Sequence, residues 1–139
     1  MFLIWQKLLW QRCIAADMSV LTARDFSLKA TLESGQLFRY HSSSNGFYYV
    51  VAGGAIIKIR QNGSRIEYEC GSNSFDVRGF LGLKQNYGDI LNSISRDEKI
   101  TAAIKKHHGL RVVEKQPWEC TASFICSGFS NMPRIKQSI

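Results

Sequence analysis

A chain of 139 residues holds one domain with a core of its own and little more. With 45% hydrophobic and 21% charged residues, 2 Pro and 11 Gly, the disordered, fibrous and low-complexity classes are excluded. The 18 Lys and Arg against 11 Asp and Glu leave +7, which suits a polyanionic partner without establishing one, and no apolar run reaches the ~18 residues a membrane span needs.

Residues 1–18 open with MFLIW ahead of Lys7 and Arg12. A secretory signal places its positive charge before its apolar core, so this order argues against one. The segment reads as an extension that is either outside the native product or a weak targeting peptide.

From Asp25 the pattern changes. Phe26, Leu28, Ala30 and Leu32 alternate with polar residues and predict a half-buried strand. Residues 33–35 (ESG) predict a turn, and 36–40 a second strand. Residues 41–46 form a polar loop ending in Asn-Gly. Strands are then predicted over 47–52, 55–60 and 65–70, joined by turns at Gly53-Gly54 and Asn62-Gly63. Together these predict an antiparallel meander.

Helical signals follow. Asn73 or Ser74 caps a helix starting near Phe75 or Asp76. Residues 89–95 and 97–108 predict two more, with Gly109 as a stop. Leu110, Val112 and Val113 predict a short extended segment. Pro117 opens a helix whose Trp118, Ala122, Phe124, Ile125 and Cys126 are apolar on most sides, which predicts burial. Met132, Ile135 and Ile139 then begin a further apolar stripe. The fold class is α+β, a small antiparallel sheet followed by helices.

Candidate chemistry is sparse. Cys13, Cys70, Cys120 and Cys126 contain no C-x-x-C pair, which argues against a zinc or thioredoxin-like site and for buried free thiols. Residues 96–139 carry eight basic against four acidic residues, so the basic surplus lies partly in the helical tail. By itself such a surplus is most simply a solvated helix face. Lys105 and Lys106 lie on a charged helix face, and His107-His108 at a helix end.

Two segments carry more. Residues 30–40 (ATLESGQLFRY) and 116–127 (QPWECTASFICS), continuing to 131–135 (NMPRI), together resemble the amino-terminal half of the 8-oxoguanine DNA glycosylases. The SGQ-x-FR-aromatic turn, the P-x-EC-x-x-SFICS helix and their separation of about eighty residues all fit, and the resemblance covers residues 19–139.

The resemblance implies a TBP-like sheet with helices over 19–115, and over 116–139 the start of a helical domain containing a helix-hairpin-helix. It implies a glycosylase and abasic-site lyase of base excision repair, acting on double-stranded DNA with 8-oxoguanine opposite cytosine. It implies neither cofactor nor metal, and a cytoplasmic setting in a bacterium or archaeon or a nuclear one in a eukaryote.

By the same resemblance Gly35 and Gln36 are substrate-binding. The Gly35 carbonyl would accept from N7–H of the extruded base. N7 carries a proton in 8-oxoguanine and is a bare acceptor in guanine, so a carbonyl there attracts one and repels the other. The alternative for Gly35 is a plain turn glycine.

Phe129, Asn131 and Arg134 are implied to contact DNA. Arg134 matches an arginine that reads the opposite cytosine, with a surface arginine as the alternative. Asn131 matches the last of an asparagine run, whose leading member is replaced here by Phe129. A phenyl ring wedges into a stack but reads no base edge. The family's nucleophilic lysine and its aspartate partner belong downstream of this region, so no catalytic residue is assigned. The chain alone is expected to be inactive. The alternatives are a non-catalytic DNA-binding module, or a subunit that needs a separate catalytic domain.

Overall fold

Tight turns organise the sheet. In the computed structural model, which describes residues 17–128, 130, 131, 134 and 135, β3 (Tyr48–Ala52) and β4 (Ala55–Asn62) close around Gly53-Gly54. β4 and β5 (Arg65–Cys70) close around Gly63-Ser64. β2 (Tyr40–Ser42) adds to β3, and β1 (Ser19–Thr22) adds to the far side of β5. The order is β1-β5-β4-β3-β2, with every pair antiparallel. The chain between β1 and β2 therefore travels from one edge of the sheet to the other, and it carries helix α1 (Leu28–Glu33).

Side-chain alternation sorts the two faces. Val50, Ala52, Ala55, Ile57, Ile59, Ile66 and Cys70 point inward and pack with Phe26, Leu28, Leu32 and Leu37. Val77, Phe80 and Leu81, from and just beyond the short helix α2 (Val77–Phe80), complete the core with Val113. Each large aliphatic there contributes about 1.5–3 kcal/mol relative to an exposed position. On the outer face, cross-strand partners Lys58 and Glu69 pair at 2.9 Å, and Arg60 and Glu67 at 2.7 Å. The two cations also roof the buried Phe47 ring, at 4.7 and 4.6 Å from its centroid.

Helices α3 (Tyr87–Ile94) and α4 (Glu98–Lys106) follow, capped by Asn86 and Asp97, and neither has a fully buried residue. Helix α5 (Pro117–Ser127) begins with proline in its first turn. Among the described residues no helix is long and apolar enough to cross a membrane.

The α+β class and the meander agree with the sequence reading; several elements do not. Residues 26–32, expected as a strand, form α1. Leu28 and Leu32 are in phase with both a period of two and a helical i, i+4 pair, so alternation did not discriminate. Ser27 decides locally, because its hydroxyl accepts from Ala30 N as an N-cap. Residues 36–40, also expected as a strand, form a turn and bend, and pairing begins only at Tyr40.

β1 was missed; a four-residue edge strand with no alternation carries no pattern to find. The 110–113 segment, expected as extended, joins no strand. Helix α5, expected to be buried, exposes Trp118, Phe124 and Ile125. Of the cysteines, Cys70 is buried as expected, whereas Cys120 is exposed and Cys126 half-buried. The extension up to residue 16, Cys13, Phe129, Met132 and Ile139 lie outside the described residues.

Candidate functional site

The turn after α1 is built from side chains that reach far along the chain. Gly35 follows the C-cap Ser34 with φ +92°, a conformation that disfavours any residue with a Cβ. Ser34 Oγ donates to the Thr31 carbonyl at 2.8 Å. The Gln36 amide nitrogen donates to Ser34 Oγ and to the Arg111 carbonyl, both at 2.8 Å. Its oxygen accepts from Val113 N at 2.9 Å. Fully buried Thr31 accepts from Arg111 N at 3.1 Å. The 111–113 backbone is thus stitched to the turn, and Glu114 N continues the line by donating to the Phe80 carbonyl.

Beside this seam lies Arg111, 8% exposed. Its guanidinium stacks 3.7 Å from the Tyr87 ring centroid and donates to the Asp25 carbonyl at 3.2 Å, while among the described residues Nε and Nη1 find no hydrogen-bond partner. Burial pulls its pKa below the usual arginine value. The Tyr87 hydroxyl accepts from Gly109 N at 2.8 Å, and the His108 ring meets Tyr87 edge-on. Tyr87 thereby anchors the start of α3 to the body.

Downstream, α5 leans on the β3–β4 turn. Glu119 accepts from Gly53 N at 3.4 Å, and the buried Ser123 donates to the Glu119 carbonyl at 2.7 Å. On the opposite arc Trp118, Phe124 and Ile125 are 76%, 78% and 68% exposed. Past α5, Asn131 Oδ1 accepts from Arg134 N at 3.1 Å, and Ile135 N donates to the Asn131 carbonyl at 3.0 Å. Asn131 is therefore the N-cap of a helical turn that exposes Arg134 and buries Ile135.

The implied site residues thus fall into two local groupings. Gly35 and Gln36 share the stitched turn, and Asn131 and Arg134 share the capped one. The side chains of Lys105 and Lys106 are exposed in the last turn of α4, where they complement its dipole. Among the described residues no group of His, Cys, Asp or Glu is placed to hold a metal. Sequence reasoning missed Thr31, Ser34, Arg111 and Val113 as parts of this site, and with up to 80 residues between partners no local signal marks them.

Residues 18–121 match the family described as 8-oxoguanine DNA glycosylase, N-terminal domain. N-glycosylase/DNA lyase OGG1 of Arabidopsis thaliana is 23% identical over 128 residues, 86% of this chain and 35% of that protein. Among solved structures, MBOgg1 in complex with a low-affinity DNA ligand superposes with TM-score 0.79 at 31% identity, over 88% of this chain and 44% of that one. The 8-oxoguanine glycosylase/lyase of Clostridium acetobutylicum, in complex with DNA containing cytosine opposite 8-oxoguanine, gives 0.75 at 26%, over 89% and 47%. The chain spans about a third of the curated relative and under half of these structures. With the turn motif, the sheet and the α5 helix in the same order, the chain belongs to the 8-oxoguanine DNA glycosylase family and carries its amino-terminal domain.

Proposed function

We propose that this chain supplies the lesion-inspecting part of an 8-oxoguanine DNA glycosylase/lyase of base excision repair. In this reading the Gly35 carbonyl accepts from N7–H of a flipped 8-oxoguanine. Gln36 lies beside it, and Phe129, Asn131 and Arg134 serve the duplex around the vacated position, opposite cytosine. The observation that carries it is the Gly35 turn. A φ of +92° between residues tied to α1 and to the 111–113 segment supports a backbone acceptor held in one direction over a loose hairpin tip. Arg134, exposed on a capped turn, adds a cation to this reading.

The chemistry of N-glycosidic cleavage and β-elimination belongs, in this reading, to a helix-hairpin-helix domain with a lysine nucleophile and an aspartate. Lys105 and Lys106 offer no substitute, because neighbouring like charges on an exposed face do not make a desolvated amine. Borohydride trapping on a duplex with 8-oxoguanine opposite cytosine tests this. No covalent adduct is expected from this polypeptide alone, and an adduct overturns the assignment.

A second reading, a subunit that works with a separate catalytic domain, draws on the α5 face. Three large apolar side chains on one exposed arc suit a helical partner domain. In both readings residues 19–115 form the sheet domain, and 116–139 the start of the helical one. Trp118→Ser with Phe124→Ser is expected to abolish co-purification with such a domain and leave the thermal unfolding of this chain within ~2 °C. Unchanged co-purification counts against this reading.

A further inference from the structure

The Gln36 amide is used up inside the chain. Both its N–H groups are spent, one on Ser34 Oγ and one on the Arg111 carbonyl, and its oxygen takes Val113 N. Only one orientation of the amide fits, because Arg111 offers a carbonyl and Val113 an N–H. Donating to residue i and accepting from residue i+2 imitates the bonding of one residue in a parallel ladder, whereas an antiparallel pair exchanges both bonds with a single residue.

The same device recurs at the other end of α1. Gln61 donates to the Phe26 carbonyl at 2.7 Å and accepts from Leu28 N at 2.6 Å. There it secures the entry to the helix. At Gln36 it secures the exit, with Gly35 between two residues that are both tied down, Ser34 to Thr31 and Gln36 to 111–113.

We propose that Gln36 is a positioning residue that touches no base and fixes the direction of the Gly35 carbonyl by clamping the 111–113 backbone. The inference rests on the reading of Gly35 as the lesion acceptor and assigns that acceptor its rigidity. A carbonyl separates N7–H from a bare N7 only while it is held in place, since a turn free to rotate a peptide plane presents an N–H to guanine as readily as a carbonyl to 8-oxoguanine.

Gln36→Met tests the clamp with little change in size. The thioether donates nothing to the Arg111 carbonyl and is a poor substitute for the amide oxygen that takes Val113 N–H. Amide hydrogen exchange at Val113 reads the clamp directly. The preference of the chain for a duplex with one 8-oxoguanine over the undamaged duplex reads its consequence.

In Gln36→Met we expect about tenfold loss of Val113 protection and a parallel loss of preference. Gln61→Glu, which loosens the helix entry, is expected to lower global stability and leave the preference intact. Undiminished Val113 protection overturns the clamp. Lost protection with full preference overturns the positioning role, as does an equal loss in Gln61→Glu. A wild type with no preference at all overturns the Gly35 reading, and the positioning role with it, while exchange still decides whether the clamp exists.

Discussion

At the scale of single residues, two glycines do unlike things. Gly46 answers to a backbone angle alone, and Gly82 to a neighbour as well. A Cβ on Gly82, itself at φ +66°, would stand 2.5 Å from the Val112 carbonyl oxygen, on the segment that Gln36 clamps. Gly82→Ala is therefore expected to cost more than the ~1–2 kcal/mol of a left-handed alanine, because backbone must shift. Gly46, at φ +80°, has nothing within 4 Å of a Cβ, so Gly46→Ala is expected to cost about that amount alone. Urea denaturation of the two variants checks the order, and a Gly82→Ala no less stable than Gly46→Ala refutes it.

Tyr48 offers a spectroscopic check. Burial and the hydrogen bond it donates to Glu33 push its pKa up to about 12. The folded chain then keeps this proton while the unfolded chain releases it near 10. Its contribution is whole below pH 10 and is lost between about 10 and 12. One phenol should ionise last in a titration followed by tyrosinate absorbance, and Tyr48→Phe should remove that step.

At the scale of elements, local chemistry accounts for helix starts better than for helix burial. Ser27, Asp76, Asn86 and Asp97 each accept from a backbone N–H three residues on. Asp97→Ala should cost about 1 kcal/mol of stability, seen as increased fraying of α4 by exchange. Three of these starts were legible to within a few residues. The fourth, at Ser27, was hidden because Leu28 and Leu32 satisfy both periods. What no element could disclose is which side of it is covered. Helix α5 is apolar on most sides, yet it packs through Glu119 and Ser123 and leaves its aromatic residues outside.

Across the whole molecule, acid sensitivity follows from carboxylates that neighbouring cations keep ionised. Hydrogen bonds from Lys84 and from Gly79 N hold Asp76 below the usual carboxylate range. Arg60 and Arg65 do the same for Glu67. A carboxylate lowered in the folded state stabilises fully above its unfolded pKa of ~4 and loses that contribution as pH falls through the folded value. Stability should be flat from pH 7 to 5 and decline below about 4. Asp76→Asn keeps a cap acceptor and should shallow the decline, and an unchanged acid limb would show that the pair is energetically silent.

The amino-acid order by itself determined the β3–β4 and β4–β5 hairpins, three helix starts to within a few residues and the family motifs, because each is written in residues a few positions apart whose geometry is fixed by turn chemistry, periodicity or a capping side chain. Only the tertiary structure decided that Gln36 faces the 111–113 backbone, that Arg111 is buried against Tyr87, and that α5 turns Trp118 outward. Those outcomes depend on which surfaces meet once the chain has crossed the sheet. Contacts across some 75 residues of sequence leave no periodic trace in either partner.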